Sequence, residues 1–146
     1  MLYPGPPDMD LQFKKSAVNG PWTATASENT DTFDLGSTAH WMGYLIVDID
    51  ALTVADTDET YNLQIRGADN TGFTTNVQVL GSWPLGTGAI TGDYDTTAGL
   101  YKFPFANFLG PEGDTKAAKQ YLRVYVVHAG TTTSLTWSAE LAHFPV

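Results

Sequence analysis

The sequence contains no cysteine. Disulfides and thiolate-held metals are therefore excluded, and the redox compartment stays open. Basic residues are scarce as well: 7 Lys and Arg stand against 16 Asp and Glu, for a net charge of −9. No Lys or Arg occurs between Lys15 and Arg66, while half of the acids fall between Glu28 and Glu59. Such a chain repels phosphate backbones and lacks the basic stripe that direct nucleic-acid binding needs. It has no run of eighteen apolar residues, so no helical membrane span is expected. The opening MLYPGPPDMDL has neither the basic start nor the apolar core of a secretory signal, which points to a protein made and used without export. The acid excess itself reads as a solubility device, with an acidic face for a basic partner as the sharper alternative.

Signatures of catalysis are missing too. The sequence has no HxH, HExxH, GxSxG or GxGxxG motif and no phosphate-cradling glycine loop. His40, His128 and His143 stand at no metal-ligand spacing and read as polar groups at strand ends. No catalytic, cofactor-binding or metal-ligating residue is assigned, and no cofactor is expected.

What is present is strand language. The 146 residues, 42% of them hydrophobic, suit one domain with a sizeable core. Residues 1–10 are proline-rich and read as an extended arm, with the domain proper over 11–146. Strands are expected at Leu11–Ala17, Trp22–Ser27, Thr30–Leu35, Trp41–Ala51, Glu59–Gly67, Phe73–Leu80 and Leu100–Phe105. The fourth carries Leu45, Val47 and Ile49 on one face, and the fifth carries Tyr61, Leu63 and Ile65. Val77 and Val79 share a face of the sixth. Pro104 favours an edge position for the seventh. The segment 120–141 reads as a half-buried hairpin turning at Ala129-Gly130-Thr131. Its first strand puts Leu122, Val124 and Val126 on one face and Tyr121, Arg123, Tyr125 and Val127 on the other; its second puts Leu135, Trp137, Ala139 and Leu141 on one face. A turn or two of helix is expected around Asp114–Lys119. About eight short strands separated by turns predict an all-β, single jelly-roll-like antiparallel β-sandwich with an extended N-terminal arm.

Some residues invite chemical readings. Asp48 and Asp50 form a carboxylate pair on one strand face, as glycosidases use, but two acids facing water explain them as well. Asp56-Thr57-Asp58-Glu59 and Asp93-Tyr94-Asp95 have the oxygen density of a weak Ca²⁺ site without the EF-hand pattern, and read first as acidic turns. Trp22 and Trp83, beside Pro21 and Pro84, are placed in loops, either plugging the sandwich ends or anchoring a partner. Trp83, Tyr94 and Tyr101 are a possible sugar platform. The tyrosine-bearing face of 121–127 is too apolar for idle surface and too polar for a core, so it lies under a loop or touches a partner.

Four segments, in order, resemble the small capsid cement, or decoration, proteins of tailed bacteriophages. They are TATASENTDTFDLG (23–36), YLIVDIDAL (44–52), ETYNLQIRGADNTGF (59–73) and KQYLRVYVVHAGTTTSLTWSAEL (119–141). The resemblance covers residues 10–144, about the whole chain. It departs from the family in the arm at 1–10 and in the longer, glycine-rich GSWPLGTGAITGDYDTTAGLYKF (81–103). The resemblance implies a jelly-roll sandwich on the outer capsid surface of a virion, assembled in the host bacterial cytoplasm. It implies the major capsid protein as partner, bridged between neighbouring subunits, and self-association as a dimer or trimer around a local symmetry axis. Nucleic acid and membrane are not implied. The arm, with Leu2 and Tyr3 at its tip and Pro4, Pro6 and Pro7 stiffening it, is expected to reach a neighbour, another copy or the shell protein, the alternatives being a disordered leader or an arm folded back over its own sheet edge. The alternative function is a carbohydrate-binding or receptor-binding β-sandwich module.

Overall fold

The computed structural model describes residues 12–14, 26–28, 32–92, 94–109 and 117–143. The proline-rich arm and Trp22 lie outside the described residues. Among the described residues there are nine strands: β1 (Gln12–Lys14), β2 (Ala26–Glu28), β3 (Phe33–Asp34), β4 (Met42–Leu52), β5 (Thr60–Ala68), β6 (Gln78–Gly86), β7 (Gly99–Ala106), β8 (Tyr121–Ala129) and β9 (Leu135–His143). A single helical turn, α1 (Gly88–Thr91), follows β6.

The strands form two sheets, and every pairing is antiparallel. Sheet I has the order β1-β9-β4-β7 and sheet II the order β2-β8-β5-β6. β3 also pairs β8, opposite Leu122 and Tyr121, while β2 pairs it opposite Val127 to Tyr125. Because β5 occupies the other edge of β8, β2 and β3 are two successive segments along one edge. Counted as one, they leave eight strands whose chain order passes repeatedly between the sheets. That is the double Greek key of a jelly roll. The expected fold class therefore holds.

The alternating faces meet where the sequence places them. Leu45, Val47 and Ile49 of β4 and Leu135, Trp137, Ala139 and Leu141 of β9 face Tyr61, Leu63 and Ile65 of β5 and Leu122, Val124 and Val126 of β8, all buried. A strand half-buried on one side needs this period of two and an opposing sheet. Trp137 is a core residue, as its phase predicts.

Several expectations need correction. Residues 120–141 do not form a hairpin: β8 lies in sheet II and β9 in sheet I. The chain crosses between the sheets at 130–134, where Gly130 takes φ 129°. Its inward faces meet across the core instead of lying side by side. The sixth strand starts later than expected, because residues 69–77 form a loop. There the Asn70 side-chain oxygen accepts the N–H groups of Thr74 and Thr75 at 3.0 and 3.1 Å, and Phe73 and Asn76 adopt positive φ. A bulge between the Ile65↔Gly81 and Arg66↔Val79 pairs turns Leu80 inward and leaves Val77 and Val79 exposed. Trp83 and Pro84 are in β6 instead of a loop, and the strand tolerates the proline because it is an edge. Pro104 sits on the other edge strand, β7, as expected. Trp83 stacks on Phe103 with ring centroids 4.6 Å apart, closing the sandwich between these two edges. Ala117–Lys119 is not helical, and the rest of the helix expected around Asp114–Lys119 lies outside the described residues.

Candidate functional site

The outer face of sheet II holds the features that demand a function. Residues Tyr121, Arg123, Tyr125 and Val127 of β8 and Asn62, Gln64 and Arg66 of β5 are half-buried on it. Register sets Gln64 beside Tyr125 and Arg66 beside Arg123. Two guanidinium groups thus stand side by side on a strongly acidic chain. Each is held by several contacts. Arg66 lies 3.8 Å above the Tyr125 ring and donates from Nε and Nη2 to Gln64 Oε1 at 2.9 and 2.6 Å. Arg123 lies 4.3 Å from the Phe73 ring, donates from Nε to Thr32 Oγ1 at 2.6 Å, and from Nη2 to the Thr71 carbonyl at 2.8 Å. Stacking on aromatic faces and fixed forks spend little further rotamer entropy on docking. The 69–77 loop covers this face at its Arg123 end through Phe73 and the Thr71 carbonyl.

The possible sugar platform is assembled only in part. Tyr94 and Tyr101 line a shallow cleft of about 380 Å³ with Pro84, Leu85, Thr91 and Asp95. Trp83 does not line it, being committed to Phe103. Tyr94 is almost fully exposed, and the Tyr101 hydroxyl donates to the Thr97 carbonyl at 2.6 Å. Asp48 and Asp50 are exposed on the outer face of sheet I. Of the acidic segment at 93–95, Asp93 lies outside the described residues, and Asp95 accepts the Gly88 N–H at 2.7 Å.

The histidines sit at strand ends. His40 precedes β4 and stacks on Phe108 at 4.2 Å. His128 is buried near the end of β8, with Nδ1 3.0 Å from Thr133 Oγ1, and burial pushes its pKa below the ordinary value. His143 ends β9.

Two buried polar groups carry no sequence signal of burial. Lys119 is fully buried, with Nζ 2.9 Å from Asp69 Oδ1. Its stem fills the space over Gly67, where a Cβ would approach Lys119 Cβ to 2.6 Å. Burial would raise the Asp69 pKa, but hydrogen bonds from Lys119 and Asn76 outweigh it and hold the carboxyl below its ordinary value. Beside this pair, the Asn107 side chain accepts from Trp41 N–H at 2.8 Å and donates to the carbonyls of Ala39 and Lys119 at 2.9 and 3.0 Å.

The second is Glu59. It is fully buried at the start of β5, at the opposite end of the sandwich from Lys119. Oε2 accepts the Asp56 N–H at 3.0 Å. Oε1 accepts no hydrogen bond from any described residue. Asp58 is tied to the β8–β9 crossing, receiving Thr131 Oγ1–H at 2.8 Å and Thr131 N–H at 3.3 Å.

No helix among the described residues is long and apolar enough to cross a membrane. Compared with protein-family models, curated proteins and solved structures, the chain finds no match.

Proposed function

We propose that this chain is a structural virion protein: a capsid cement or decoration protein that binds the outer surface of a tailed-phage head and bridges major capsid subunits. The sequence resemblance brings the class. The observation that carries it to a surface is the paired Arg66 and Arg123, each clamped on an aromatic ring, on the half-buried outer face of sheet II. Arg and Tyr side chains held rigid on a half-buried sheet face are of the kinds that dominate protein–protein binding energy. Two adjacent cations on an acidic protein favour an acidic patch on the shell protein. Self-association as a dimer or trimer around a local symmetry axis, and an arm reaching a neighbour, belong to the same reading.

The test is binding to undecorated tailed-phage heads assembled from the major capsid protein of the same virus. Arg66→Glu is expected to weaken binding at least ~10-fold, about 1.4 kcal/mol, while the urea midpoint moves little. Unchanged affinity would remove this face from the reading. Deleting residues 2–9 tests the arm in the same assay. Heads that never bind the wild-type chain would end the cement reading altogether.

A carbohydrate-binding module is the second reading, favoured by one observation, the cleft shared by Tyr94 and Tyr101. A glycan array separates the two. Specific glycan binding lost in Tyr94→Ala, without capsid binding, would replace the first reading with the second.

A further inference from the structure

We propose that Asp56, Asp58 and Glu59 form a divalent-cation site at the start of β5, and that Ca²⁺ is the ion it fits. The three residues each bring one carboxylate oxygen within 4.8 Å of the other two. Oxygens that share one Ca²⁺ at 2.3–2.6 Å lie at most about 5 Å apart, so the spacing suits one shared ion after small side-chain adjustments. An acidic cluster alone would be ordinary surface. The independent observation is the Glu59 carboxylate, wholly removed from solvent, with Oε1 accepting no hydrogen bond from the described residues. A buried carboxylate is tolerated when its lone pairs are matched by a cation or by donors. Arg66 and Arg123 are held on the outer face of sheet II, and Lys119 is paired with Asp69 at the other end of the molecule. Lys102 stands over the Tyr44 ring in sheet I, so none of these four cations among the described residues matches Glu59, and a bound ion would.

The donor set selects the ion. Three hard oxygens, with no nitrogen or sulfur, suit Ca²⁺ or Mg²⁺ over zinc. Asp56 and Asp58 are exposed, so waters can complete a coordination shell of six to eight on that side. Mg²⁺ demands a tighter octahedron and gives up its water reluctantly. The site is also held in place from two directions. Asp58 is bound by Thr131, the Glu59 carbonyl receives the Thr87 N–H at 3.0 Å, and the Thr57 carbonyl receives Thr87 Oγ1–H at 3.3 Å. Gly130 allows the close approach, because a Cβ there would meet Glu59 Cα at 2.7 Å. A bound cation would therefore sit in a β4–β5 connection already tied to the chain after β6 and to the β8–β9 crossing.

The experiment is titration calorimetry of the full chain, stripped with EDTA, against CaCl₂ and MgCl₂, with thermal unfolding in both salts. One Ca²⁺ is expected to bind with Kd of roughly 10⁻⁴–10⁻³ M, raising Tm, with Mg²⁺ weaker at equal concentration. Asp56→Asn, at an exposed position that leaves the fold intact, is expected to weaken Ca²⁺ binding at least ~10-fold. Glu59→Gln should abolish the Ca²⁺-dependent rise in Tm, yet in EDTA unfold no earlier than wild type. Asp48→Asn, on a distant face, should leave the titration unchanged. No heat and no Tm change at about 10 mM Ca²⁺, well above that Kd range, would overturn the proposal. So would an equal response in wild type and Asp56→Asn, or a loss in Asp48→Asn as large as in Asp56→Asn. Capsid binding is not a readout here, so the result is independent of the proposed virion role.

Discussion

At the end of the sandwich where β5 finishes, a buried ammonium meets a carboxylate, and Asn107 ties three segments of main chain together. At the end where β5 begins, a buried carboxylate has two acidic neighbours and one oxygen without a donor among the described residues. The first end is complete within the chain. Among the described residues, the second has charge of one sign only. Burial itself does not separate them, since Lys119 and Glu59 are equally enclosed. The difference lies in whether the counter-charge is built in, and it makes one end a structural brace and the other a receptor for an ion.

The largest effect is expected from breaking the braced end. Asn107→Leu leaves the Trp41 N–H and the carbonyls of Ala39 and Lys119 without their side-chain partner. At about 1 kcal/mol or more for each, stability should fall by roughly 3–5 kcal/mol. The urea midpoint should drop while the slope holds.

Next comes the ion pair, through the order of two variants. Asp69→Asn strands a buried charge and should destabilise by about 2 kcal/mol, less than for a fully enclosed pair because Asp69 is partly solvated. Lys119→Met removes the buried charge itself and should destabilise less. The reverse order would show that the lysine stem, not the charge, holds that end.

Acid should then dissect the molecule in two stages. His128 is held below its ordinary 6.5 by burial, so the unfolded chain takes up the proton first. Stability is therefore lost as pH falls from about 6.5 towards the lower folded value, at no more than about 1.4 kcal/mol per pH unit. Asp69 is depressed below its ordinary 3.8. Its contribution is full above that value and disappears as pH falls through the folded one. His128→Gln should flatten only the first stage, and Asp69→Asn only the second, in Tm measured against pH.

The smallest effect belongs to Thr131→Val, which loses an exposed bond to Asp58. About 0.5 kcal/mol is expected in EDTA. A larger loss in EDTA would mean that the acidic end is braced by the chain alone.

Faces were legible in the sequence and neighbours were not. Leu45, Val47 and Ile49 announce an inward face through period two, and so do Tyr61, Leu63 and Ile65. The same alternation fits a strand beside its sequence neighbour or opposite it across a core. That is why 120–141 reads as a hairpin while β8 and β9 occupy different sheets. The bulge at Leu80 shifts the phase of β6 by one residue, which no period can signal in advance. Of the candidate sites, the Tyr125 face stands out in the sequence because tyrosine and arginine alternate with core residues. Phe73 over Arg123 depends on a loop conformation and was invisible. Glu59 reads as one acid in a run, because burial at a strand start depends on the glycines at 86 and 130 that crowd it.

The strand order also governs how the chain emerges from a ribosome. In sheet I no strand bonds to its neighbour in sequence; β4 sits between β7 and β9, and β1 waits for β9. Only β5 and β6 are both consecutive and paired, so they are the natural first hairpin, and β8 can dock on it next. β4 meanwhile is synthesised with both edges bare, and it completes its bonding only when residues 135–143 arrive. A long apolar strand in that state is an invitation to pair with the nascent chain next to it. Asp48 and Asp50 place two negative charges along its outward face. Like charges at such positions disfavour the pairing of β4 of one polypeptide with β4 of another in the interval before folding ends.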